Sequence, residues 1–153
     1  MAKRALVVDD DKVTLELLTF QLESEGFETV SADCGLKGLE SVRETEFDII
    51  LTDLNLPDID GIEMVRQSKE LAPHTEIIMV TGYGSTEKTI EATKAGAFYY
   101  IEKPVDFEQL LPLIEKAVER KQQALEIQEL RGKLSSRTSF EGIIGGSRSM
   151  QNI

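Results

Sequence analysis

The stretch Phe47-Asp-Ile-Ile-Leu-Thr52 is a short run, apolar through its centre, that delivers one carboxylate, Asp53, to a loop bounded by Pro57 and Gly61. Consecutive large apolar residues, rather than alternating ones, mark a strand buried on both faces. Such a strand needs helices above and below it, which restricts the chain to layered α/β architectures. Asp53 then stands at the rim of a sheet, where an ionised side chain needs water, a cation or a reaction partner.

The same unit recurs along the chain. Ala5-Leu-Val-Val8 runs into Asp9, Asp10 and Asp11, and Thr29–Ala32 is a weaker strand. Glu76–Val80 runs into Thr81, and Ala97–Ile101 ends at Glu102-Lys103-Pro104. Between these runs the apolar residues fall at helical spacing: Leu15, Leu18 and Leu22 before Gly26, then Leu36, Leu39 and Val42. Gly61–Leu71 predicts a helix stopped by Pro73, and Thr86–Ala95 one closed by Gly96. Asp106, with Gln109 three residues on, reads as a capping box opening the last helix. Five strands alternating with helices predict a five-stranded parallel sheet, doubly wound as (βα)5. Ligands of such sheets bind outside the carboxyl ends of the strands. Asp9, Asp10, Asp53, Thr81 and Lys103 are therefore expected to be neighbours.

Three adjacent carboxylates repel one another unless a cation sits among them. An all-oxygen set of that kind suits Mg2+. Lys103 adds an ammonium and Thr81 a hydroxyl, and together these groups could neutralise a phosphoryl group in flight. Asp53 would be the nucleophile, forming an acyl phosphate. Taken singly, each residue has an ordinary reading: Asp9 and Asp10 as helix-dipole charges, Lys103 as a surface lysine, Thr81 as a cap. Their convergence favours the site. Asp11 reads as a solvated first-turn charge, and Phe98 and Tyr99 as packing residues.

Val7-Val-Asp-Asp10, Asp53-Leu-Asn-Leu-Pro57 with Gly61, Thr81-Gly82 and Lys103-Pro104 resemble, in order and spacing, the receiver domain of bacterial two-component response regulators. The resemblance covers roughly residues 3–120 and implies a flavodoxin-like receiver fold. It implies that Asp53 is the phosphoacceptor and that Mg2+ is held by Asp10, Asp53 and the backbone carbonyl of Asn55, with Asp9 acting through water. It further implies that Thr81 and Tyr100 form the switch and that Lys103 senses the phosphoryl group. Asn55 and Tyr83 fall where the family tunes dephosphorylation. The implied partner is a sensor histidine kinase. The implied output is a homodimer through the fourth helix, fifth strand and fifth helix together with the C-terminal helix. Such a chain is a phosphoacceptor switch rather than an enzyme, limited to self-catalysed phosphotransfer and autodephosphorylation. The competing reading is an interaction module that keeps the fold without needing phosphate.

Other classes fit less well. A formal charge of −11 argues against a nucleic-acid surface on this piece. The acidity is concentrated in residues 1–110, with 23 acidic and 10 basic side chains against 5 and 7 thereafter. Cys34 is alone, and the N-terminal apolar run is too short for a secretion signal, so a cytoplasmic location without membrane contact is expected. No Walker A pattern occurs. Asn55, two residues beyond Asp53, supplies no second carboxylate of the haloacid-dehalogenase type. The acidic first loop would repel a dinucleotide phosphate.

From Leu110 to Leu134 only Pro112 and Gly132 oppose helix, and Pro112 is expected to kink the helix or move its start. Leu111, Ile114, Val118 and Leu125 form one seam, interrupted by Lys121 and Gln128, and Ile127, Leu130 and Leu134 continue on another phase. This is a short, imperfect coiled-coil pattern. Ser135–Ser139 reads as a linker. Phe140–Ile153 is similar to the entry of the AAA+ ATPase domain in sigma-54-dependent activators of the nitrogen-regulator (NtrC) type. The expected organisation is a receiver at 1–120, a helical dimerisation linker at 121–139 and the start of a truncated AAA+ domain at 140–153. The longer protein would then bind DNA and sigma-54 RNA polymerase.

Overall fold

The computed structural model describes residues 3–82 and 86–141. Its elements alternate as β1 (Lys3–Val8), α1 (Lys12–Ser24), β2 (Phe27–Ala32), α2 (Gly35–Glu44), β3 (Ile49–Thr52), α3 (Gly61–Leu71), β4 (Glu76–Thr81), α4 (Thr86–Ala95), β5 (Tyr99–Glu102) and α5 (Phe107–Glu141). Every strand pair is parallel and the sheet order is β2-β1-β3-β4-β5. The chain steps outward from β1 to β2 and returns to β3 on the other side, so the switch in strand order lies between β1 and β3.

Apolar runs form the inner strands β1, β3 and β4 because successive side chains serve opposite cores. Leu6, Val8, Ile50, Ile77 and Met79 face Leu39, Val42, Met64 and Val65 of α2 and α3. Ala5, Val7, Ile49, Leu51, Ile78 and Val80 face Leu15, Leu18, Leu22, Leu110, Ile114 and Val118 of α1 and α5. Local signals set the helix ends. The Asp11 side chain accepts from Val13 N, and Gly26, at φ 91°, supplies the left-handed turn after α1. The Asp60 side chain accepts from Ile62 N and opens α3.

Several details differ from the sequence reading. The last strand begins at Tyr99 rather than Ala97, because the Ala97 N–H still closes the end of α4 on Ala92 O. Tyr99 is 49% exposed and is not a packing residue. Asp106 caps α5 by accepting from Glu108 N, while Gln109 contributes its backbone N–H to Asp106 O. Pro112 lies inside α5 and does not move its start. It removes one donor near the helix start, and the buried residues Leu110, Ile114, Ala117 and Val118 anchor that stretch.

The anticipated seam divides. Ile114 and Val118 belong to the receiver-side core, and Lys121 is the last residue of the first compact unit. In the second unit, from Gln122 onward, Leu125, Ile127 and Leu130 are exposed. Helix continues over Ser135–Ser139, where the sequence reads as a linker, and ends at Glu141. Most of the Phe140–Ile153 segment lies outside the described residues. Among the described residues no helix is long and apolar enough to cross a membrane.

Candidate functional site

Strand register builds the site. Val8 pairs with Thr52, so the residues that follow, Asp9 and Asp53, leave the sheet side by side at the switch point. Asp53 N donates to Val8 O at 2.9 Å, fixing the phase of the two strand ends. Asp9, Asp10 and Asp53 can each offer a carboxylate oxygen, all within 4.8 Å of one another. Asp9 and Asp53 are buried and Asp10 is exposed, so this acidic crevice opens to solvent on one side.

Lys103 reaches this crevice from the end of β5. Its Nζ lies 2.7 Å from Asp9 Oδ2 and 3.3 Å from Asp53 Oδ2. Burial opposes the ammonium, but the bond to Asp9 and the charges of Asp53 and Asp9 outweigh it and raise the lysine pKa. Asp9 is itself pushed up, chiefly by burial and further by Asp53, against the pull of Lys103 and of the Asp11 N–H. One ammonium among three carboxylates leaves negative charge uncompensated. An oxygen-rich group of this charge and spacing fits a small divalent cation such as Mg2+.

The remaining expected residues surround this centre. Asn55 N donates to Asp53 Oδ1 at 3.2 Å, so the loop after β3 folds back over the carboxylate. That loop is closed by the Asn55–Asp60 bridge and by Gly61 N donating to Leu54 O at 2.9 Å. Thr81 is buried at the end of β4, and its carbonyl accepts from Lys103 N at 2.9 Å. Tyr100 is level with Met79, on the sheet face shared with Thr81, and its ring packs on the α2/α3 core. The Tyr100 hydroxyl is buried and makes no full hydrogen bond among the described residues. Burial, then Glu102 and Asp53, raise its pKa, with the Thr89 hydroxyl opposing. Tyr83 lies outside the described residues.

Two residues had no assigned role in the sequence reading. Asp58, in the loop after Asp53, accepts from Gly35 N and Leu36 N, each at 2.8 Å, and from Ile59 N at 2.9 Å. Burial acts against its charge, but these amides prevail and lower its pKa. Its two partners on α2 lie 22 and 23 residues away, so no local spacing announces that contact. Lys121 is buried and donates from Nζ to Phe47 O at 2.7 Å, tying α5 to the entry of β3.

Comparison with known proteins agrees with this fold. The family described as "Response regulator receiver domain" matches residues 5–115. The chain belongs to that family, in its NtrC-like branch. It is similar to the transcriptional regulatory protein ZraR of Salmonella typhimurium, 36% identical over 149 residues, covering 97% of this chain and 32% of ZraR. The chain thus spans about a third of that relative's length. A response regulator receiver domain protein from Methanospirillum hungatei is 36% identical with a TM-score of 0.79, covering 81% of this chain and 99% of that one. The beryllofluoride-activated NtrC4 receiver domain dimer is 34% identical with a TM-score of 0.73, covering 77% of this chain and 98% of that one.

Proposed function

We propose that Asp53 accepts a phosphoryl group from a sensor histidine kinase, and that this switches dimerisation and so controls an attached transcription-activating ATPase. The observation that carries this reading is the set of three carboxylates within 4.8 Å, bridged at Asp9 and Asp53 by the Lys103 ammonium. Mg2+ would be held by Asp10, Asp53 and the Asn55 backbone carbonyl, with Asp9 acting through water. The chemistry it supplies when bound is neutralisation of phosphoryl oxygens.

The chain's own residues do the rest. An Asp53 carboxylate oxygen attacks phosphorus; the donor's P–N bond breaks as the P–O bond forms, and the leaving imidazole takes a proton from solvent. Lys103, already 3.3 Å from Asp53 Oδ2, transfers its contact to a phosphoryl oxygen. Thr81 donates its hydroxyl to another, favouring the conformer in which Thr81 is drawn toward Asp53 and Tyr100 stays inward. The changed surface is that of α4, β5 and the first part of α5, which with the remainder of α5 forms the dimer. In this organisation residues 1–120 are the receiver, 121–139 the helical dimerisation linker and 140–153 the start of an AAA+ domain. The longer protein, in the cytoplasm, would engage DNA and sigma-54 RNA polymerase. This fragment would not contact nucleic acid, and it would act as a phosphoacceptor rather than as an enzyme on a separate substrate.

The test is mass spectrometry after incubation with acetyl phosphate and Mg2+, with gel filtration in beryllofluoride alongside. One phosphoryl group should be gained by the native chain and none by Asp53→Asn. No gain, or an equal gain in the variant, refutes the acceptor assignment. An unchanged monomer at every concentration, with and without beryllofluoride, refutes the dimer switch.

A further inference from the structure

We infer that Asp58 is a positioning residue for the cation and the phosphoacceptor, because it clasps the loop carrying Asn55 to the first turn of α2. The inference rests on the proposed reading of the Asp53 site and extends it to a residue outside the acidic crevice. Two independent observations support it. The Asp58 carboxylate takes three backbone donors, two of them, Gly35 N and Leu36 N, from the opening of α2. The same approach crowds Gly35, where a Cβ would meet Ile59 Cγ1 and stand 3.3 Å from Asp58 Oδ1, so a side chain there requires Ile59 to move.

The loop is consequently held at both ends. Toward α3 it is fixed by the Asn55–Asp60 bridge and by Asp60 capping Ile62 N at 2.8 Å. Toward α2 it is fixed by Asp58 alone among the described hydrogen bonds. Asn55 is itself one side of that bridge, with its N–H on Asp53 Oδ1. Its carbonyl, the proposed ligand, belongs to the same short segment. Releasing Asp58 leaves Asn55 held only by its bridge to Asp60 and its N–H on Asp53, so the segment carrying it gains freedom relative to the carboxylates, without altering any of the three. Groups that orient a metal's ligands typically change affinity by about 10–100-fold when removed.

The experiment is an NMR titration of the chain with Mg2+, following the amides of residues 53–60, together with hydrogen exchange of Gly35 and Leu36 in its absence. Asp58→Ala should weaken Mg2+ binding by roughly 10-fold, speed exchange at both amides and slow phosphorylation by acetyl phosphate. Asp58→Asn keeps one acceptor oxygen and should fall between the two. Asp48→Ala serves as control, because Asp48 accepts a long-range backbone bond from Arg4 N at the opposite end of the sheet. It should lower thermal stability and leave Mg2+ affinity unchanged. Native Mg2+ affinity in Asp58→Ala, or equal losses in the Asp58 and Asp48 variants, overturns the positioning role while leaving the Asp53 reading intact. A native chain that neither binds Mg2+ nor gains phosphate overturns that reading first, and this inference with it. If Asp58→Ala does not fold, native affinity in Asp58→Asn together with native amide exchange overturns the role instead.

Discussion

Gly61 approaches Asp53 so closely that a Cβ on the glycine would stand 2.5 Å from the Asp53 carbonyl oxygen. The obstruction is backbone on every side, since Leu54 Cα and Leu54 O lie at the same distance. No rotamer change relieves it, so any side chain must push the loop away from α3. Gly61→Ala should therefore destabilise the fold by about 1–3 kcal/mol, read by denaturant unfolding. It should also slow phosphorylation by acetyl phosphate, because Asp53 moves with the loop.

Asp9 should impose a cost on the Mg2+-free protein near neutral pH. Its folded pKa lies above the ordinary 3.8, with burial the main cause. The native state therefore keeps the Asp9 proton to higher pH than the unfolded chain does. This group's stabilising contribution is complete below the unfolded value and is lost as pH rises through the folded one. Asp9→Asn should stabilise the protein in EDTA by about 1 kcal/mol at neutral pH, and the difference should shrink as pH falls toward about 4. Thermal unfolding across that range checks the sign; a difference that grows on acidification contradicts it.

Lys103 is the cation on both buried carboxylates, so removing it leaves them to repel. With its side chain 22% exposed, the loss in Lys103→Met should be about 1–2 kcal/mol, below that of a fully buried pair. Millimolar Mg2+ should recover more stability in this variant than in the native chain, because a dication can replace the missing ammonium. Equal Mg2+ gains in both proteins would contradict a shared site. Phosphorylation should remain slow in the variant even with Mg2+ present.

The partners of Lys121 should respond unequally to mutation. Lys121 is 5% exposed and its Nζ bonds Phe47 O at 2.7 Å, whereas the Glu46 side chain, 3.2 Å away, is 74% exposed. Glu46→Gln should cost less than about 0.5 kcal/mol. Lys121→Met keeps the buried stem but removes the ammonium's bond to the Phe47 carbonyl, which retains the Thr75 hydroxyl at 2.9 Å as its other donor, and should cost about 1–2 kcal/mol. Chemical denaturation of both variants tests the contrast.

Most of the architecture was legible because buried parallel strands have a distinctive composition. Leu6 and Val8 serve one core while Ala5 and Val7 serve the other, so the run is apolar throughout. The strand-end carboxylates were legible for the same reason: they interrupt those runs abruptly. Lys121 was misread as a break in a seam, since spacing arguments treat lysine as solvated. Its four-carbon stem instead fills the interior while the ammonium is delivered to a carbonyl. The residues Ile114 and Val118 suggested a coiled coil because a core-facing stripe and a dimer seam share one periodicity; only tertiary packing separates them. Asp58 carries no signal in the sequence, because its target amides follow from the packing of α2 beside the loop.

The bond from Lys103 N to Thr81 O joins main chain to main chain. It sets the spacing between the two strand ends without using any atom of either side chain. The ammonium and the hydroxyl are thus interchangeable tips on a fixed two-pronged fork. Substituting either residue changes the tool at that tip while the spacing of the two main chains stays the same. Variants with altered phosphoryl lifetime or ligand preference can accordingly be sought at these positions without redesigning the frame that carries them.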